Sequence, residues 1–283
     1  MNSVAIIGYG FVGKAIANGI KSSVNIYKID PKLGTDINVI KNNHIKIIFI
    51  CLPTPMDDNG GQDISIILNV IKKINEINDD FIIVLKSTVL PNFVKDIENS
   101  CKNFVYNPEF LTEKNANEDF INSDLIIFGG EDSICKKLSK FYDIHTKCIN
   151  KNYIYTDATS ASLVKYSINS FLASKVLFFN GIRKIFDKMN SDETWESFIS
   201  ILKLDERLGE THMSVPGPDK KFGFGGACLP KDISALYNFS TEIDEEFKLL
   251  KKIIDLNKEI RISYNLDSRE LDQNINYKKR ESL

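Results

Sequence analysis

Cysteine is scarce and unpaired in this chain. Cys51, Cys101, Cys135, Cys148 and Cys228 make an odd set of five, with no CxxC pair and no His at metal-ligand spacing. That pattern argues against a disulfide framework and against a metal site, and it fits a reducing cytosol. An excess of one charge is also lacking: 36 Lys and Arg face 38 Asp and Glu, a formal net charge of −2. Such a balance supplies no field for gripping nucleic acid. The longest apolar run, residues 47–52, is far short of the ~20 residues needed to span a bilayer. Residues 4–7 run straight into a glycine turn with no basic leader before them, so a cytoplasmic chain without membrane attachment is expected. Repeats and low-complexity tracts are absent from the sequence. What remains is ordinary globular material, 43% hydrophobic and 26% charged over 283 residues, enough for two domains at ~150 residues each.

The pattern of apolar residues changes once along the chain. Up to about residue 150, short β-branched or apolar runs at 3–7, 24–29, 44–52, 81–85, 104–106 and 125–129 alternate with helical periodicities at 12–20, 64–77 and 133–141. This alternation predicts βαβ units and a doubly wound parallel sheet, with strands buried on both faces. After residue 157 the texture is helical: one long helix or two end to end over 159–190, a short one over 195–204 and a last one over 243–262. Residues 216–226 are a Gly/Pro loop, and 266–283 are expected to form a fraying polar tail that ends in Lys278, Lys279, Arg280 and Glu281. The expected division is therefore a first domain at 1–150, an all-helical domain at 151–265 and the tail.

Two segments carry chemistry. The first is the turn from Gly8 through Tyr9, Gly10, Phe11 and Val12 to Gly13, a GxGxxG set between a predicted strand and a predicted helix. Gly8 permits the tight turn, Gly10 lets a pyrophosphate approach the backbone, and Gly13 lets helix and strand pack closely. Asp30 ends the next strand, where a carboxylate hydrogen-bonds ribose hydroxyls and repels a 2′-phosphate, which favours NAD over NADP. Lys28 and Lys32 lie close in sequence and weigh the other way. The bland alternative is a glycine turn with an incidental loop Asp.

The second segment is FGFGGACLPKD, residues 222–232. Its glycines 223, 225 and 226 strip side chains from a turn so that something large can approach the backbone. Pro230 suits the first turn of a helix, which puts Cys228 at a helix N-terminus with Lys231 three residues on, both features that favour thiolate. Asp232 is placed to order a water. Against this stands the ordinary role of a lone Cys as a small buried hydrophobe. Lys165 and Asn169, four apart on the long helix, share a face; spacing alone favours its solvated side, while the alternative is a pair that polarises a substrate oxygen. Glu109 and Glu113 follow a strand, either facing a ligand crevice or capping a surface helix. Thr54 and Thr88 also follow strands, where ordinary turn chemistry explains them equally well.

Together GYGFVG with Asp30, CLPTP, KSTVLP, NPEFLTE, the Lys165 to Asn169 pair, Arg207-Leu208-Gly209 and FGFGGACLPKD resemble, in order and spacing, the UDP-glucose/GDP-mannose dehydrogenase family over residues 1 to about 240. The resemblance implies a Rossmann-type NAD domain followed by a helical catalytic and dimerisation domain, and NAD-dependent oxidation of a nucleotide sugar at C6 in two steps through a Cys228 thioester. It implies Cys228 as nucleophile, Lys165 and Asn169 as oxyanion stabilisers, Asp232 as the group that orders water and tunes Lys165, and Glu109 as base for hydrolysis. Thr88 falls between cofactor and substrate, with Thr54 and Lys231 on the cofactor side. Phe110, Leu111, Glu113, Phe224 and Gly225 fall at the substrate, and Arg207 reaches across a homodimer interface to substrate phosphates. The chain departs from the family pattern at Ser162, at Asn180-Gly181 and in an extra PGPDKK stretch, residues 216–221. The residues after Asp232 fall short of the ~100 or more that a further α/β domain needs, so the domain that in the family holds much of the nucleotide is expected to be absent. Two other readings stay open: a single-step 3-hydroxyacid-type dehydrogenase, and a non-catalytic NAD-binding remnant.

Overall fold

The structure is a computed structural model and describes residues 3–278. Two compact units emerge from it. One comprises the chain up to Thr54 together with Asp63–Lys165; the other comprises Pro55–Gln62 and the chain from Tyr166 onward.

The first unit is a seven-stranded sheet. Its strands are β1 (Ser3–Ile7), β2 (Asn25–Ile29), β3 (Ile47–Ile50), β4 (Ile82–Leu85), β5 (Asn103–Tyr106), β6 (Ile126–Gly130) and β7 (Tyr153–Thr156), in the spatial order β2-β1-β3-β4-β5-β6-β7. Because successive side chains point to opposite faces, each central strand feeds two apolar layers. Ala5, Ile7, Ile48, Ile50, Ile83 and Leu85 pack on one side with α2 (Ser65–Ile77) and α3 (Pro91–Ser100). Val4, Ile6, Ile47, Phe49 and Val84 pack on the other with α1 (Phe11–Gly19), α4 (Ala116–Ile121) and α5 (Asp132–His145). The order reverses at β1, flanked by β2 and β3, which is the switch point where doubly wound sheets bind ligands.

The expected Rossmann-type α/β architecture is present, with one amendment to the all-parallel reading. β6 runs antiparallel to β5, and β7 runs parallel to β6. The connection from β5 carries only α4, a short helix whose Phe120 fills the space a Cβ on Gly19 of α1 would need, and the chain re-enters the sheet in the opposite sense.

The second unit is helical, with α6 (Ala158–Lys188) starting in the first unit and continuing into it. It is one helix of 31 residues. Then come α7 (Trp195–Leu202), α8 (Leu229–Glu242), α9 (Lys248–Arg261) and α10 (Ser268–Leu271). Phe179, Trp195, Ile199, Met213 and Val215 form an apolar cluster there. The fraying tail expected from residue 266 is not observed as far as residue 278. Ile275 and Tyr277 are buried and Glu270 is fully so. This segment is held by charge and hydrogen bonds, which leave no apolar period in the sequence. Residues 279–283, with Lys279, Arg280 and Glu281, lie outside the described residues. Among the described residues no helix is long and apolar enough to cross a membrane.

Candidate active-site residues

The glycine turn is built as its spacing implies. Gly8 sits at φ +88°, and a Cβ there would overlap the Cys51 carbonyl; a Cβ on Gly13 would overlap the Gly8 carbonyl. Gly10, the N-cap of α1, has open space around it and no side-chain cap on the helix. The first-turn N–H groups of Phe11, Val12 and Gly13 are thus left to an anion, supported by the helix dipole. Asp30 does more than await a ribose. Its two oxygens accept the N–H of Tyr9 at 2.7 Å and of Lys32 at 2.8 Å, tying the end of β2 to the glycine turn. A carboxylate offers about four acceptor sites, so this leaves capacity for hydroxyl donors. Lys28 lies 4.8 Å from the centre of the Tyr9 ring. The bare cradle at Gly10 and the anchored carboxylate fit a dinucleotide. Thr54 is buried and donates to the carbonyl of Thr88 at 3.0 Å, joining the loops after β3 and β4.

Beyond β5 the chain turns through Pro108 to Glu109. Glu109 is buried, accepts the Leu111 N–H at 2.6 Å on one oxygen and meets Lys165 Nζ at 3.2 Å with the other. Lys165 Nζ is also 5.3 Å from the Phe110 ring centre. Glu113 is exposed on the same segment, while Phe110 and Leu111 are half-buried. Ser162, one turn before Lys165, donates to the Val89 carbonyl at 2.6 Å.

Lys86, which follows β4 and opens the KSTVLP motif, carries no role in the sequence pattern. It is buried, donates to Asn107 Oδ1 at 2.9 Å, and shares that oxygen with the Tyr142 hydroxyl at 2.7 Å. Burial lowers its pKa to about 8, against the partial opposing pull of Cys51 and Glu109. Burial likewise pushes the Cys51 thiol up to about 12, which keeps it a neutral thiol. A cavity of about 20 Å³ lies against Lys86, Asn107, Glu109, Tyr142 and Cys148, room for about one water. The signal available in the sequence was a lysine closing an otherwise apolar strand.

In the second unit Cys228 is the N-cap of α8, half-buried, with Pro230 in the first turn. Asp232 is 1% exposed and accepts Asn169 Nδ2 on one oxygen and Lys231 Nζ on the other, both at 2.6 Å. The solvated-face reading of Lys165 and Asn169 is overturned: they are 4% and 6% exposed. The turn around Arg207 is held by Lys175 Nζ on the Leu208 carbonyl at 2.7 Å. Arg207 itself is exposed and paired with Asp205.

The glycines of the loop have another cause than the one expected. What approaches Gly223 and Gly225 is the chain's own Asn257 and Arg261: a Cβ on Gly223 would lie 2.6 Å from Asn257 Oδ1, and one on Gly225 would overlap the Arg261 guanidinium. Gly226, at φ +80°, has open space around it. The Phe224 side chain is buried, and its N–H and carbonyl are both engaged by the Asn257 amide at 2.8 and 2.9 Å.

Fold and turn together define a Rossmann-type NAD-binding protein with an appended helical domain. Residues 30–148 match the NAD binding domain, and residues 159–259 the central domain, of the UDP-glucose/GDP-mannose dehydrogenase family. The chain belongs to that family. Among its relatives, a UDP-glucose 6-dehydrogenase of Rickettsia bellii is 36% identical over 75% of this chain and 49% of that protein. The chain spans about half the length of the curated relatives it matches. Among solved structures, a UDP-glucose dehydrogenase from Pyrobaculum islandicum superposes with a TM-score of 0.75 at 23% identity, covering 92% of this chain and 68% of that one. A 3-hydroxyisobutyrate dehydrogenase from Mycobacterium tuberculosis gives 0.70 at 15% identity, covering 94% and 96%. At these identities the two structures speak for the fold alone.

Proposed function

We propose that this chain is an NAD-dependent 6-dehydrogenase that oxidises the C6 alcohol of a UDP-glucose-like nucleotide sugar to the uronate through a covalent intermediate on Cys228. What carries the reading is Cys228 at the head of α8 with Asp232 four residues on, buried and held by Asn169 and Lys231. The functional division that goes with it is an NAD domain at residues 1–150 and a helical catalytic and dimerisation domain at 151–265.

Gly8, Gly10, Gly13 and Asp30 hold the dinucleotide, with Tyr9, Phe11, Val12, Thr54, Thr88 and Lys231 around it. When bound, NAD supplies the hydride acceptor for both oxidations. Lys165 and Asn169 stabilise the negative charge that develops on the C6 oxygen as the alcohol proton passes to solvent water. The Cys228 sulfur adds to the aldehyde carbon and its proton ends on the oxygen, giving a thiohemiacetal; the second oxidation leaves a thioester. Glu109 takes a proton from the water that attacks the thioester carbonyl, and the C–S bond breaks to return the thiol and a carboxylate. Covalent capture keeps the aldehyde from escaping between the two oxidations. Phe110, Leu111, Glu113, Phe224 and Gly225 line the sugar, and Arg207 meets its phosphates.

We assign Arg207 to the site of a second copy in a homodimer formed through α6. Phe171, Phe178 and Ile185 support this. They are 67%, 63% and 58% exposed, and their spacing of seven residues puts them on one stripe of the helix. A single-step hydroxyacid dehydrogenase shares the fold but gives the Cys228 loop no task.

The deciding measurement is NADH yield across UDP-hexoses, GDP-hexoses and unactivated sugars. Two NADH per nucleotide sugar consumed is the expected result. One NADH, or undiminished turnover in Cys228→Ala, overturns the double oxidation, and turnover of unactivated sugars alone overturns the substrate class.

A further inference from the structure

We propose that residues 257–277 are a built-in clamp that positions the loop carrying Cys228, with Arg261 as its pivot and Asn257, Glu270 and Tyr277 as its other positioning residues. The proposal goes beyond the family match, which stops at residue 259, and it assigns a task to the segment that the sequence leaves as a tail. For its kinetic consequences it rests on the function proposed above.

The geometry starts with the loop itself. Residues 222–224 have no strand beside them, yet each main-chain N–H is taken by a side chain. Phe222 N–H donates to the Tyr264 hydroxyl at 3.4 Å, Gly223 N–H to Asn180 Oδ1 at 2.9 Å and Phe224 N–H to Asn257 Oδ1 at 2.8 Å. Asn257 returns a bond from Nδ2 to the Phe224 carbonyl at 2.9 Å, so one side-chain amide reads both polar groups of a residue as a neighbouring strand would.

Arg261 sets how closely that amide and the loop approach. Its side chain is 1% exposed; one guanidinium nitrogen meets Asp219 Oδ2 at 2.7 Å and another meets Glu270 Oε1 at 2.8 Å. Asp219, in the PGPDKK stretch at residues 216–221, supplies one jaw. Glu270 supplies the other. It is fully buried, its Oε1 also accepts the Tyr277 hydroxyl at 2.9 Å, and its Oε2 accepts the Asp267 N–H at 2.9 Å. The Asp267 side chain caps the turn in return, completing a capping box. The segment is pinned at a second point, where Met56 N–H donates to the Gln273 carbonyl at 3.1 Å and Asn274 Nδ2 to the Met56 carbonyl at 3.0 Å.

A guanidinium flanked by two carboxylates cannot shift toward one without stretching the other contact, so its position is over-determined. Gly223 and Gly225 are glycines because this group and Asn257 occupy the space of a Cβ. Cys228 follows Gly225 by three residues, and displacement of a reacting group by about 1 Å can cost on the order of a hundredfold in rate.

The test compares wild type with Glu270→Gln, Tyr277→Phe and Arg261→Lys in the full chain. Two readouts need no substrate: amide hydrogen exchange at residues 222–226, and the iodoacetamide alkylation rate of Cys228 read by peptide mass spectrometry. Expected are faster exchange of the loop amides and an alkylation rate changed by about tenfold in Glu270→Gln and Arg261→Lys, with a smaller change in Tyr277→Phe. In turnover, kcat falls while KM for NAD stays at the wild-type value. Should these variants melt at lower temperature while loop exchange and Cys228 alkylation stay at wild-type values, the clamp is only structural and the proposal fails. If loop exchange and alkylation shift but the wild type oxidises no nucleotide sugar, the clamp stands and the functional reading falls.

Discussion

Lys86 shows at the scale of one side chain what burial costs a charge. The amine sits among Cys51, Glu109, Tyr142, Cys148 and Lys165, and its pKa falls from 10.5 to about 8, chiefly through desolvation. Between those two values the unfolded chain holds a proton that the folded chain does not, so stability rises with pH across that window. The rise is on the order of 3 kcal/mol, because at lower pH folding must bury the charged amine. Urea unfolding of wild type and Lys86→Met from pH 7 to pH 10.5 isolates this contribution. Wild type is expected to gain on the variant from about pH 8 upward, while parallel profiles would show that the amine is not desolvated. Little in the sequence marks this lysine. A strand ending in Lys-Ser-Thr reads as strand then turn, and nothing in its period says that the lysine stays inside.

Glycines at the two chemical loops separate an element's need for a ligand from its need for its own chain. Gly10 faces open space and has an ordinary backbone φ of −73°. Gly10→Ala is therefore expected to leave the melting temperature of the unliganded chain unchanged or slightly raised, by about 0.4–1 kcal/mol in stability, and to weaken NAD binding in titration calorimetry. Gly225→Ala is the converse, since its Cβ meets Arg261 and lies 2.6 Å from Glu270 Oε1. It should cost about 1–3 kcal/mol as overpacking and leave NAD affinity as it was. Loss of NAD affinity in Gly225→Ala but not in Gly10→Ala would reverse both assignments. The sequence told the two loops apart by their flanking strand and helix, but not the cause of each glycine, because Arg261 approaches from thirty-six residues downstream. The same physics governs what was legible among the elements. Strands buried on both faces and amphipathic α2 and α5 announce themselves by period. β7, with Ile154 and Tyr155 exposed, carries no such pattern. α3 is ten residues long, and apart from Pro91, Phe93, Val94 and Ile97 they are Asn, Lys, Asp, Glu and Ser, so its apolar spacing is too brief to stand out.

Assembly bears on the chemistry of this chain through Arg207. Its guanidinium is exposed and paired with Asp205, and its turn is anchored by Lys175, an arrangement that holds the side chain at the surface. Phe171, Phe178 and Ile185 lay an apolar stripe along the helix that also carries Lys175. If two copies join along that stripe and each lends Arg207 to the other, Arg207→Ala and Cys228→Ala should both be inactive alone. Mixed after brief denaturation and refolding, they should recover about a quarter of wild-type turnover, because half of the dimers are mixed and each mixed dimer keeps one complete site. Phe178→Glu should yield monomers in sedimentation velocity and abolish turnover while leaving NAD binding intact. Full activity in a monomeric Phe178→Glu chain would place Arg207 in its own subunit's site, and an absence of complementation in dimers shown to exchange would exclude sharing. Either result would still leave the loop and its clamp to be judged by hydrogen exchange, because the contacts that build the clamp all lie within one chain.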